Sequence, residues 1–186
     1  MGDVIPTLDT DRLRLRPFQR ADAPAVQTLA GASEVATTTL NIPHPYPEGL
    51  AESWINGHRP AAAAGTRLTW AVMRPADAML LGSITLSIVS VHLRAELGYW
   101  LGVPFWNQGY MTEAALRVTT FGFAECGLHR VEAGCFPRNP ASARVLVKVG
   151  MQIEGVLRGY ARKGEIFEDV AMYAVLRSRE AQDHPG

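Results

Sequence analysis

At 186 residues the chain has room for one well-buried core and not comfortably for two, so a single domain over 1–186 is expected, with loosely ordered ends. A composition of 47% hydrophobic and 19% charged residues, with 17 Gly and 12 Pro, excludes disorder, collagen-like repeats and coiled coils. Eighteen Lys plus Arg balance eighteen Asp plus Glu, so no net field draws nucleic acid or an anionic membrane surface, and any anion must be bound locally.

The opening Met1-Gly2-Asp3-Val4-Ile5-Pro6 has no basic segment leading into an apolar run, and no window reaches the ~20 apolar residues of a membrane span. A cytoplasmic setting is the expectation. Cys126 and Cys135 are too few for a disulfide scaffold and, with five scattered histidines, wrongly spaced for zinc, so core filling and no metal are expected of them.

In chain order, Arg12-Leu-Arg-Leu-Arg16 alternates charged and apolar residues as a half-buried strand does, and Pro17 ends it. Asp22 and Pro24 then open a helix that should run to about Gly31. Pro43, Pro45, Pro47 and Gly49 make residues 39–49 a stiff loop. Leu50, Trp54 and Ile55 stand at helical spacing, which predicts a second helix over 48–64. Residues 68–73 and 80–89 are β-rich runs flanking a turn, hence an antiparallel hairpin, and residues 96–101 form a further strand. The pattern then changes to helix over 112–126, strand over 131–136, helix over 140–149, and two last strands around Lys163-Gly164. Such an order predicts an α+β fold with a mixed sheet, in which the strand-helix-strand unit favours a parallel pair and the sheet can splay to bind a ligand.

Trp106-Asn-Gln-Gly-Tyr-Met111 lies between a strand and the amphipathic helix that carries Ala115, Thr119, Gly122 and Phe123 on one face. Outward loop amides and a helix N-terminus with roughly half a positive charge can hold a pyrophosphate without any lysine. Gly109 permits close backbone approach, and Thr112 can cap the helix or touch a phosphate. Taken alone, the stretch also fits a plainer reading in which Gly109 merely turns the chain into the helix. Neither GxxxxGK[ST] nor GxGxxG occurs, so triphosphate and dinucleotide binding lose their main support.

Four stretches occur in order: Glu96-Leu-Gly-Tyr-Trp-Leu101, Trp106-Asn-Gln-Gly-Tyr-Met-Thr-Glu113, Asn139-Pro-Ala-Ser142 and Val149-Gly-Met-Gln-Ile-Glu-Gly155. Together, over nearly the whole chain, they resemble the RimJ/RimL-type branch of the GNAT superfamily of N-acetyltransferases. The resemblance implies the GNAT fold, a splayed, mostly antiparallel sheet of about seven strands flanked by about four helices. It also implies acetyl-CoA as donor, direct transfer to an amine without an acyl-enzyme, and an association into homodimers that the branch allows. It assigns the backbone of Tyr99, Trp100, Leu101, Gly102 and Val103 to the pantetheine arm. Gln108, Gly109, Tyr110, Met111 and Thr112 fall to the pyrophosphate, and Asn139 and Ser142 to the pantetheine and thiol end. Two residues depart from the family pattern: Asn107 stands where glycine is frequent, and Met111 where alanine or glycine is usual, so both are expected to narrow the phosphate site.

Acetyl transfer needs a neutral amine, a donor for the developing oxyanion and a proton for the departing thiolate. The resemblance makes Glu96 the base, although a solvated strand-end carboxylate reads equally well. Many relatives place an acidic tyrosine where this chain has Leu146, so Ser142 becomes the substitute proton donor, with a helix-capping hydroxyl as its plainer role. The backbone amides of 99–101 are the expected oxyanion partners. An α-amine of pKa ~8 costs about 1 kcal/mol to deprotonate at neutral pH, against roughly 4 to 5 for a lysine near ~10.4. With one carboxylate in view, the expected acceptor is a peptide or ribosomal-protein N-terminal α-amine, or a small-molecule amine. The loop 43–47, Trp54, Trp70 and Tyr160 are candidate walls for it, though aromatics so spaced also suit a core. Glu168 and Asp169 can meet a cationic acceptor or lie in a solvated turn. The rival reading is a non-catalytic acyl-CoA-binding sensor or assembly module.

Overall fold

The computed structural model describes residues 5–178, and the ends expected to be loosely ordered lie outside that range. Eight strands make one sheet: β1 (Leu8–Asp9), β2 (Arg14–Pro17), β3 (Arg67–Arg74), β4 (Met79–Val89), β5 (Arg94–Leu101), β6 (Arg130–Cys135), β7 (Gln152–Lys163) and β8 (Ile166–Leu176). Their order across the sheet is β1-β2-β3-β4-β5-β6-β8-β7. The α-helices are α1 (Ala23–Ala30), α2 (Ser33–Thr38), α3 (Leu50–Asn56), α4 (His58–Ala63), α5 (Tyr110–Ala124) and α6 (Pro140–Lys148). None is long and apolar enough to cross a membrane.

The mixed, mostly antiparallel α+β sheet is as expected, with eight strands instead of seven and six α-helices instead of four among the described residues. The extra strand is β1, whose two residues pair with Leu15 and Arg14 and are too few to show a period. The helix expected over 48–64 is two, because the chain breaks at Gly57 and Pro60 has no amide to bond back to Asn56. The unforeseen α2 is rich in β-branched residues, which favour helix weakly, and is held instead by burial of Val35 and Ala36.

Alternation sorts the strands into two faces. Trp70, Val72, Ile84, Leu86, Ala95, Leu97, Val131 and Ala133 face α5 and α6 and pack with Ala114, Val118 and Leu146. Full burial of each larger side chain there is worth ~1.5–3 kcal/mol. Trp70 belongs to this core and not to an acceptor wall: its ring meets Phe121 edge-on, and its Nε1 donates to the Pro6 carbonyl at 2.7 Å. On the other face Ala71, Leu80 and Trp100 are covered by Val26, Ala51 and Ile55 of α1 and α3. Toward the opposite end of that face the side chains turn polar and line an open cavity.

Only β5 and β6 run parallel, as a crossover through α5 requires. Their pairing covers Arg94↔Arg130, Ala95↔Val131 and Glu96↔Glu132 and then stops. Beyond Glu96, β5 stays on β4 as far as Leu101, and β6 stays on β8 as far as Cys135. The sheet therefore opens as a wedge between β5 and β6.

Candidate active site

Past Glu96, the backbone groups of β5 that point toward β6 have no ladder partner, because β6 has diverged. One is taken locally, since Trp106 Nε1 donates to the Leu101 carbonyl at 2.7 Å. The wedge leads into a cavity of about 470 Å³ walled by β5, the 105–112 loop, the end of α2 and α6.

Asn107 and Gly109 both adopt left-handed conformations, with φ of 60° and 79°, and so turn the loop sharply into α5. The first intrahelical amide bond runs from Glu113 N to Gly109 O at 3.1 Å. The amides of Tyr110, Met111 and Thr112 therefore have no intrahelical acceptor, and these residues line the cavity at the positive end of a 15-residue helix. The loop is braced from outside by Arg12, which donates to Glu113 Oε2 at 2.7 Å and to the Gln108 carbonyl at 3.1 Å and stacks 4.6 Å over the Tyr110 ring. Burial pushes the Glu113 carboxyl upward, but hydrogen bonds from Thr10 and Arg12 outweigh it and hold it below its ordinary range. Free amides, a left-handed glycine and a pre-set loop suit a diphosphate.

The residues named from sequence separate here. Tyr99, Trp100, Leu101, Gly109, Tyr110, Met111, Thr112, Asn139 and Ser142 all line the cavity. Gly102, Val103 and Gln108 do not: Gly102 N donates to the Leu81 carbonyl, Val103 packs toward α1–α3, and Gln108 turns its side chain back to Pro104 O at 2.9 Å. Met111 is 5% exposed and packs in the core, so its bulk does not narrow the site as expected, whereas Asn107 does stand in the wall. Leu146 is fully buried against the sheet.

Asn139 caps α6, its Oδ1 accepting from Ser142 N at 3.1 Å. The Ser142 hydroxyl is thereby relieved of capping and lies 2.8 Å from the Tyr99 hydroxyl. Burial drives the Tyr99 phenol well above its ordinary pKa, Ser142 opposes this in part, and nearby Cys135 adds to it. The pair joins β5 to α6 across the wedge and keeps its protons at neutral pH.

A second cavity, of about 750 Å³, lies over the polar end of the other face, and Tyr160, Trp54, Tyr46 and Pro43 contribute to its walls. The two cavities share Thr38, Thr39, Tyr99, Trp100 and Ser142, so they meet at the Tyr99–Ser142 pair. Glu96 lies on the floor of the second cavity, exposed and without a cationic partner among the described residues. Its neighbour Glu132 is held by Arg94 and by Arg130 Nε at 2.7 Å. Glu168 is paired with Arg138 at 2.6 Å, and Asp169 accepts from Gly159 N at 2.7 Å, so both are engaged in the fold.

Sequence reasoning named Tyr99 only for its backbone. Alternation places its side chain opposite that of Glu96, toward the helices, and that signal was readable. Thr38 and Thr39, at the end of α2, carried no such signal.

The family model of the acetyltransferase (GNAT) domain matches residues 12–152. YoaA, an uncharacterized N-acetyltransferase of Bacillus subtilis (strain 168), is 32% identical over 178 residues, covering 95% of this chain and 100% of its own. A GNAT-family acetyltransferase of Bacillus anthracis superposes with a TM-score of 0.82 at 27% identity, covering 92% of this chain and 98% of that one. RimL, a ribosomal alpha-N-protein acetyltransferase solved with coenzyme A, shares the fold with a TM-score of 0.84 at 19% identity, over 92% of this chain and 98% of its own. With the wedge, the phosphate-type loop and these matches together, the chain belongs to the GNAT family and is an N-acetyltransferase.

Proposed function

We propose that the protein, acting as one domain over 1–186 in a cytoplasmic setting, transfers the acetyl group of acetyl-CoA to a primary amine. The preferred acceptor is a peptide or ribosomal-protein N-terminal α-amine, or a small-molecule amine. The observation that carries the reading is the junction of two cavities, on opposite faces of one sheet, at the Tyr99–Ser142 pair. RimL, solved with coenzyme A, supports the donor by likeness of fold.

Acetyl-CoA supplies an acyl group already activated as a thioester. The amides of Tyr110, Met111 and Thr112 hold its diphosphate, and Asn139 and the unpaired edge of β5 align the pantetheine arm along the wedge. An amide of β5 beyond Glu96 donates to the carbonyl oxygen as charge develops there. Glu96 takes the proton of the incoming ammonium through water from the other face. As the N–C bond forms and the C–S bond breaks, the nitrogen releases its surplus proton to solvent, and the Tyr99–Ser142 pair gives a proton to the sulfur and is reprotonated from solvent.

The test is to titrate the protein with acetyl-CoA and then follow thiol release with a panel of amines. Release in step with amine acetylation, faster on α-amines than on lysine side chains, is the expected result. Binding without release would favour the sensor reading, and faster turnover on lysine would overturn the α-amine preference.

A further inference from the structure

The acceptor cavity has a charge pattern that transfer alone does not require. Strand register lays out three rows across β3, β4 and β5, namely Arg67–Ser87–Glu96, Thr69–Thr85–Gly98 and Ala71–Ser83–Trp100, and all of these but Ala71 line the cavity. Four charged side chains line the cavity, namely Arg67, Arg94, Glu96 and Glu132, and Arg94 is spent on Glu132. Among the described residues, Arg67 and Glu96 remain as its unpaired cation and its unpaired carboxylate. They stand at the two ends of one row, two strand spacings or roughly 10 Å apart. Other cations nearby are engaged elsewhere: Lys163 donates to the carbonyls of Thr39, Leu40 and Ile42, and Arg138 pairs with Glu168.

Ser87 lies between the two charges, and the floor in the rows beside them is kept clear and polar. A Cβ on Gly98 would meet no atom within 4 Å, so neither packing nor a left-handed backbone demands glycine there. Ser83, 2% exposed, lines the same cavity, and its buried hydroxyl has no partner among the described residues. A buried, unsatisfied hydroxyl in a cavity wall suits a polar occupant.

Resting on the transferase reading above, we infer that the acceptor is an acidic peptide N-terminus, with its α-amine at Glu96 and a carboxylate side chain at Arg67. An extended peptide advances ~3.3–3.6 Å per residue, so a side chain from the second or third residue spans the distance. The guanidinium fork receives a carboxylate with two parallel hydrogen bonds, which a lysine in its place would not.

The experiment compares peptides of equal length carrying Asp or Glu, Gln, or Lys at positions two and three, in wild type, Arg67→Gln and Arg67→Glu. Each is read by kcat/KM and, with protein loaded with coenzyme A, by peptide Kd. Wild type should favour the acidic peptides at least fivefold over the neutral ones. Arg67→Gln should erase that preference while neutral peptides stay within twofold, and Arg67→Glu should shift it to the lysine peptides. Equal handling of acidic and neutral peptides by wild type, or a preference that survives Arg67→Gln, overturns the inference. If small amines are acetylated and no peptide is, the inference fails while the transferase reading stands; if acidic peptides bind through Arg67 and no amine of any kind releases thiol, the transferase reading fails.

Discussion

Replacing Tyr99 by phenylalanine removes one oxygen from the junction of the two cavities and leaves the ring in place. That oxygen lies 2.8 Å from Ser142 Oγ and 3.4 Å from the Ser142 carbonyl in a half-buried setting. Losing it strands the Ser142 hydroxyl, and an unmade buried hydrogen bond costs ~1–3 kcal/mol. If the pair delivers the proton to the leaving sulfur, the same loss appears in the transition state. Full removal of a general acid costs ~10²–10⁴-fold, and because the pair donates as one unit we expect kcat to fall about 100-fold or more. Acetyl-CoA affinity should hold within twofold, because no diphosphate contact is touched. Burial raises the phenol pKa, so the acid form persists and wild-type kcat should show no alkaline decline below the ordinary tyrosine range near ~10. Since the two hydroxyls act as one unit, Tyr99→Phe with Ser142→Ala should be little worse than the poorer single variant. The assay is steady-state thiol release across pH, with calorimetric titration of acetyl-CoA. A kcat for Tyr99→Phe within twofold of wild type, or losses that multiply in the double variant, would refute the shared proton-donor role.

Glu96→Gln should lower turnover at pH 7 by more than ~10-fold with acetyl-CoA affinity nearly unchanged, and unaltered turnover in the thiol assay would remove Glu96 as base. Gly98→Ala should leave stability within ~0.5 kcal/mol, because its methyl meets nothing, yet raise the KM for the amine several-fold. An unchanged amine KM would show that no acceptor crosses that floor. His58 bears on acid stability: burial first, and the Arg67 charge second, press its pKa from 6.5 down to about 4. Both ring nitrogens lack partners among the described residues, and the ring packs edge-on against Trp54 at 4.3 Å. The unfolded chain takes up this proton before the folded one, so the contribution is intact above ~6.5 and lost as pH falls toward about 4, by about 3 kcal/mol at most. Denaturation of wild type and His58→Phe at pH 7.5 and 4.5 should show a smaller acid loss in the variant, and equal losses would contradict it.

Much of this was legible because it is local. The alternation of 94–101 set Glu96 and Tyr99 on opposite faces, and Gly109 marked the turn into α5. What was hidden depends on contacts distant in sequence. No local pattern says that β5 and β6 part after Glu96, because beyond that point each follows its outer partner, β4 or β8, from elsewhere in the chain. The brace on the loop comes from Arg12, 101 residues before Glu113, and the partner of Tyr99 lies 43 residues away. Met111 was misjudged because its position suggested bulk at the phosphate, whereas the first turn of α5 rotates it into the core. Gly57 and Pro60 were visible signals to divide the helix over 48–64, masked by the alanines around them.

The most direct measurement is mass spectrometry of peptides incubated with the protein and acetyl-CoA, alongside a count of free thiol. One acetyl group on the α-amine for each thiol released, with lysine side chains largely unmodified, is the expected result. Tight binding of acetyl-CoA with neither thiol nor acetylated amine would contradict it.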